Sequence, residues 1–246
     1  MRALALLLLA ATVANAQSVQ ELMSQGRQLD LENRNAEALA VFLKADTGKP
    51  NDSEILRLIA RQYGQLIPET TSPAGKKQLA LQSLDPALRA VRADPENARA
   101  RLSLAIVYGR VAAYEGARRK VELSRLIKEE AEAAVRLDPA QELAWHILGR
   151  WNYELANFNP VLKALAQTIY GTFPDASNAK AAEHLQKAIA LNPRSVLHHV
   201  ELGRTYAALG EKTKARQEIG KGLALPSLAK DDEETKQRGR EALKQL

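Results

Sequence analysis

Four prolines set the frame into which this chain can fold. Pro50, Pro95, Pro139 and Pro193 each end a stretch of helical period, and each follows an alanine five residues earlier: Ala45, Ala90, Ala134 and Ala188. A proline inside a helix lacks the backbone N–H and collides with the carbonyl four residues back. It also pushes the residue before it into extended backbone, so a recurring x-Pro is a recurring helix stop. The stops stand 45, 44 and 54 residues apart, which leaves room for two helices and their turns. Between them apolar residues recur at helical spacing, glycine and proline are few (13 and 10), and no convincing run alternates as a strand would. The expected class is all-α. A pair of helices this short cannot bury its apolar face alone, so successive pairs must stack into a solenoid.

The seam at Leu137-Asp138-Pro139 and Trp145-His146-Ile147-Leu148-Gly149 sharpens this. A W-x₂-L-G opening after a closing proline resembles the tetratricopeptide repeat, whose period is ~34 residues. The longer intervals then imply insertions of about 10, 10 and 20 residues in repeats two to four. The architecture expected is an α-solenoid, a right-handed superhelix of about five such hairpins with inserts. Its repeats span about 19–50, 51–95, 96–139, 140–193 and 194–226, within one domain over 17–246, and a capping helix follows at about 230–245. In repeat one, Leu22, Gly26 and Leu29 share a face with Ala38 and Phe42 opposite. Repeat two opens on Asn51-x-x-Glu54, read as a capping box, and restarts at Ser72-Pro73 in a helix that runs to Asp94-Pro95. A long helix is expected from about Ala117 to Leu137, and a separate short one from Asn159-Pro160 to Gly171.

The passage Leu148-Gly149-Arg150-Trp151-Asn152-Tyr153, with Ala164 and then Ile169-Tyr170-Gly171-Thr172-Phe173-Pro174, goes beyond the generic repeat. With Ala188 to Pro193 and Ala224-Leu225-Pro226 before a charged last helix, it resembles the regulator of microtubule dynamics family, from roughly Pro95 to the C-terminus. Arg150, Trp151, Gly171 and Pro174 carry most of that likeness. The resemblance implies a repeat domain with an inserted helix and no catalytic residues. Eukaryotic members are tied to microtubules and spindle poles, and one lipid-binding member sits at organelle contact sites.

The chain starts Met1-Arg2, runs apolar from Ala3 to Ala11 and reaches Ala14-Asn15-Ala16, the pattern of a signal peptide over 1–16 cut after Ala16. The run is short of the ~20 apolar residues of a membrane span. The expected address is the bacterial periplasm, where tubulin is not met. Cysteine is absent and no Gly-rich phosphate loop, H-E-x-x-H or G-x-S-x-G occurs, so no enzyme, metal site or cofactor is expected. The net charge of +6 is mild for the length and aromatics are 4%, a composition that does not point to nucleic acid.

The sharpest candidate for a binding surface is a repeated arginine. Arg27, Arg61, Arg150 and Arg204 each follow the small residue of a first helix (Gly26, Ala60, Gly149, Gly203), and only repeat three departs, with Ile106 after Ala105. In this repeat class that position lies on the concave wall. Arg57 and His146, one turn earlier, and Arg99 join the same expected groove. Guanidinium forks suit carboxylate or phosphate, so the expected partner is an acidic peptide or protein segment. The alternative is an anionic lipid, with Leu102, Ile106, Leu143 and Val200 lining an apolar cavity beside the arginines. A plainer account also stands: the arginines pair with Glu54, Glu154 or Glu201 and only stitch helices, at ~0–1 kcal/mol each. Arg110, Arg118, Arg119, Lys120, Arg125 and Lys128, spread over one long helix with Glu122, Glu129 and Glu130 between them, read as a solvated, charge-laced helix.

Overall fold

The computed structural model describes residues 17–246; the expected export signal, residues 1–16, lies outside them. Thirteen α-helices occur among the described residues. They are α1 (Val19–Leu31), α2 (Asn35–Gly48), α3 (Ser53–Leu66), α4 (Pro73–Gln82), α5 (Leu84–Ala93), α6 (Ala98–Ala112), α7 (Ala117–Leu137), α8 (Glu142–Ala156), α9 (Pro160–Tyr170), α10 (Asn178–Leu191), α11 (Val196–Ala208), α12 (Lys212–Ala224) and α13 (Asp232–Lys244). The chain is all-α. Hairpins form between α1 and α2, α3 and α5, α6 and α7, α8 and α10, and α11 and α12, while α13 lies on the last pair.

The proline stops work as backbone chemistry requires. The residues before them, Lys49, Asp94, Asp138 and Asn192, share one extended conformation, with φ of −142, −146, −146 and −139°. Each donates its N–H to the carbonyl of the alanine four residues back, at 3.0, 3.2, 2.9 and 2.9 Å. Those four alanines are fully buried. Inside each hairpin the closest approach is matched by size. Gly26 lies under Phe42, Gly149 under Leu185 and Gly203 under Ile219, and a Cβ on Gly149 or Gly203 would come within 2.7 or 2.5 Å of its partner. Where the first helix carries Ala60 or Ala105, the second carries Ala87 or Ala131, each pair in one core cluster.

First helices pack on first helices, α3 on α6, α6 on α8 and α8 on α11. Second helices stand further apart, bridged by long side chains such as Arg89 to Asp46 at 3.2 Å. The first helices therefore form the inner wall of the curve. The connection ahead of α13 crosses its opening: Lys230 Nζ meets Glu69, just past α3, at 2.6 Å.

Two local expectations need correction. The helix expected from Pro73 to Asp94 breaks at Ser83 into α4 and α5, because Pro86 cannot donate to the Gln82 carbonyl and its ring crowds that oxygen. Ser72 does cap α4, accepting from the Gly75 N–H at 3.0 Å. The cap of α3 is Asp52, not Asn51. Its carboxylate accepts from the N–H groups of Glu54 and Ile55 at 3.0 and 3.1 Å, and Asn51 turns the chain with φ of 61°.

Candidate functional site

The first helices bring the arginines to the inner wall together with acidic neighbours. Arg27 of α1 reaches across to Glu54 of α3 at 3.1 Å, and Arg57 grips the same carboxylate at 2.7 and 2.8 Å. Arg99 of α6 lies in its field as well. Burial pushes the Glu54 carboxyl up, but the Arg57 hydrogen bonds and the charges of Arg57, Arg27 and Arg99 outweigh it and hold the group below its ordinary value. Arg61 meets Asp30 of α1 at 3.3 Å, Arg150 meets Glu154 on its own helix at 3.1 Å, and Arg204 meets the buried Glu201 at 2.9 Å. Arg238 of α13 approaches the same Glu201 at 3.9 Å. One carboxylate thus serves two guanidiniums at Glu54, with Arg99 further off, and one serves two at Glu201.

His146 leaves the expected group. It is buried at the contact of α8 and α11, its ring stacked on His198 with Nδ1 atoms 3.1 Å apart. At that distance one ring donates its Nδ1–H and the other accepts through an unprotonated Nδ1, so the two cannot both be charged. Burial first, then neighbouring positive groups, pushes both imidazoles below their ordinary value, His198 to about 4. His199 faces the other way, toward Glu218 of α12 at 2.8 Å.

The charge-laced stretch divides in two. On α7, Arg118 and Arg119 share Glu122, Arg125 pairs with Glu129 and Lys128 with Glu132, all at i,i+3 or i,i+4. Arg110 belongs to α6 instead, and its guanidinium lies against Gly64 of α3.

The family model described as "Regulator of microtubule dynamics protein 1-3" matches residues 18–246. The chain belongs to that family. Mouse "Regulator of microtubule dynamics protein 2" is 28% identical over 184 residues, 74% of this chain and 45% of that protein, so the chain spans about half the length of such relatives. Among solved structures, a thermophilic tetratricopeptide-repeat protein of Thermus thermophilus superposes with a TM-score of 0.64 at 21% identity, over 92% of this chain and 99% of that one. YrrB, described as a tetratricopeptide-repeat protein with an unusual peptide-binding site, does so with 0.52 at 18% identity, over 94% of each. At these identities the superpositions establish the fold alone.

Of the residues that carried the family likeness, Arg150 lies on the inner wall, while Trp151 and Pro174 line a second feature of this regulator of microtubule dynamics family member, with Gly171 in the turn beside it. Trp151 is buried in α8 with Lys128 over its ring at 5.5 Å. Gly171 ends α9 with φ of 84°, a conformation that favours glycine, and Pro174 follows in the return to α10. Between that return and α7, α8 and α10 lies a cavity of about 610 Å³ lined by Trp151, Asn152, Tyr170, His184 and charged residues of α7 and α10. Residue spacing gave no sign of it, because it depends on the path of the chain after Gly171. None of Leu102, Ile106, Leu143 and Val200 lines it. Val200 instead fills the space between Gly222 and Gly239.

Proposed function

We propose that this family member is a non-catalytic repeat scaffold that holds an acidic segment of a protein partner against its inner wall. Arg27, Arg57, Arg61, Arg99, Arg150 and Arg204 supply the positive charge for it. One observation carries the reading: guanidiniums outnumber carboxylates along that wall, with Glu54 shared by Arg27 and Arg57, Glu201 by Arg204 and Arg238, and Arg99 in the field of Glu54 without an ion pair of its own. The exposed guanidiniums of Arg27, Arg61 and Arg150 exchange partners at little cost, ~0–1 kcal/mol each, while Arg204 stays on the buried Glu201. A ligand that brings several carboxylates gains from the uncompensated charge. The peptide-binding site named for YrrB agrees in kind. Export through residues 1–16 to the periplasm belongs to the same reading.

The test is fluorescence anisotropy with a labelled oligoglutamate peptide and the chain from Gln17. Binding should weaken as salt rises. The combined variant Arg27→Gln, Arg61→Gln, Arg150→Gln, Arg204→Gln should bind at least about tenfold more weakly with its helical signal intact. Unchanged binding in that variant sinks the proposal. An anionic phospholipid found on the gently purified protein by native mass spectrometry replaces the peptide reading with the lipid one. Cell fractionation checks the address, and an uncleaved cytoplasmic product overturns export.

A further inference from the structure

The arginine register of the inner wall has one gap, Ile106 in α6. Arg110 stands one helical turn beyond it, on the same face, so the third repeat supplies its guanidinium four residues later. Arg27, Arg57, Arg61, Arg150 and Arg204 each have a carboxylate at ion-pair distance. Arg110 has none among the described residues, and residues 1–16 contain neither Asp nor Glu.

Its place is built for it. The guanidinium crosses α3 over Gly64, where a Cβ would overlap Nη1 and Cζ. Glycine inside a helix costs about 1 kcal/mol relative to alanine, and what it gives here is room for Arg110. Arg61, one turn from Gly64 on α3, stands beside it. Opposite comes the connection that crosses the opening, with Lys230 held by Glu69 at 2.6 Å and Asp231 next to it. Burial and then the positive charge of Arg61 push the Arg110 guanidinium down from its ordinary value, and Asp231 opposes them from beyond ion-pair reach. The group nevertheless stays protonated. A shielded fixed charge with only a distant counter-charge is a poor ion pair and a ready ligand site.

We propose that Arg110, backed by Gly64 and flanked by Arg61, is an anion subsite at the middle of the inner wall that takes a carboxylate of the bound segment. The proposal rests on the inner-wall reading and adds a position to it.

The probes are inorganic phosphate, which shares the chemistry of a carboxylate toward a guanidinium fork, and the labelled oligoglutamate peptide. Phosphate should raise the melting temperature of the chain from Gln17 beyond chloride at equal ionic strength. Arg110→Gln should abolish that extra rise and weaken the peptide about tenfold. Asp231→Asn, which removes a distant negative charge that a carboxylate ligand must approach, should tighten the peptide by at most about threefold. Arg110→Met, which keeps an unbranched apolar stem without the guanidinium over Gly64, should behave as Arg110→Gln does and controls for folding. Equal phosphate responses in wild type and both Arg110 variants overturn the subsite. If the Arg110 variants bind peptide as wild type does while the four-arginine variant fails, the subsite falls and the inner-wall reading stands. If neither changes binding, both fall. Competition for phosphate by phosphatidylglycerol vesicles but not by the peptide overturns the protein segment as its source.

Discussion

The second and fourth hairpins each carry an extra helix between their two arms, and the two extras are used differently. In the second hairpin α4 packs on α3, α5 and α6, with Ala80 fully buried in one cluster with Ala60, Ala87 and Leu104. Only Ser83 separates it from α5. In the fourth, α9 packs chiefly on α7 and leaves Val161 75% exposed. The chain then turns out at Gly171 and returns through residues 172–177, which leaves the cavity of about 610 Å³ behind it. A proline that only bends a helix keeps the insert in the core. A left-handed glycine, by contrast, carries the insert away from it. Each insert buries one alanine completely, Ala80 in α4 and Ala166 in α9, but α4 joins a core cluster of three helices while α9 rests on α7 and closes the end of the space with Tyr170.

The comparison breaks most directly by excision. Replacing α4 with a Gly-Ser linker removes one side of the Ala60–Leu104 cluster and exposes much of it. Against a total stability of about 5–15 kcal/mol for a domain, this should abolish a cooperative thermal transition. Excising α9 in the same way should leave a cooperative transition within several degrees of the parent. Circular dichroism melts decide, and equal damage from both excisions would remove the distinction.

The histidines sharpen it next. His198 is sealed between α8 and α11, while His184 stands half-buried on the cavity. Both have imidazoles pushed below 6.5, first by burial and then by neighbouring positive charge. The unfolded chain therefore takes up protons before the folded one. Stability is complete above pH 6.5 and is lost as pH falls toward about 4, by roughly 3 kcal/mol for His198 at that limit. NMR titration of the α9-excised chain should still show His198 near 4 and His184 below its ordinary value, because Trp145 and Asn152 of α8 and Lys187 of α10 remain beside His184. A His198 that titrates normally in the intact chain would contradict the sealed contact.

The same contrast explains what could be read without a structure. The Ala–Pro spacing is a local backbone rule, so every helix stop it marked is where the chain turns. The start of α9 at Asn159-Pro160 and its end at Gly171 were legible for the same reason. The break at Ser83 was written in Pro86, but helical periodicity on both sides of it masked the bend. The acidic neighbours Glu54, Glu154 and Glu201 could be anticipated from spacing along and between helices. Asp30 could not, since its meeting with Arg61 depends on how α1 stacks on α3. Arg110 was grouped with its sequence neighbours on α7, because nothing in the sequence shows that Gly64 makes room for it from another helix. The cavity was least legible of all, being set by a return path and not by any residue pattern.

Packing gives a smaller contrast. Ala80→Leu forces extra volume into a filled cluster and should cost about 1–3 kcal/mol. Thr172→Leu, exposed on the cavity rim, should stay within about 0.5 kcal/mol of the parent. Urea midpoints at unchanged slope measure both. A cost for Thr172→Leu as large as that for Ala80→Leu would mean that the space behind α9 is tightly constrained.

The smallest effect bears on how α9 is held at all. Without a core of its own, α9 depends on a narrow apolar strip against α7 and on its last residue, Tyr170, whose hydroxyl shares a hydrogen bond of 2.8 Å with Ser124 of α7. Tyr170→Phe keeps the ring and removes that bond, a loss of about 1 kcal/mol. If α9 is a latched wall, the loss should be local. Amide exchange should quicken across Pro160–Tyr170 and the following return while α7, α8 and α10 keep their protection. The corresponding loss in the second hairpin, Ser83→Ala, removes the buried bond from its hydroxyl to the Ala80 carbonyl at 2.7 Å and should speed exchange through α3, α5 and α6 together, because α4 opens only when the core does. Uniform quickening of the whole domain by Tyr170→Phe would show that the wall and the core unfold as one.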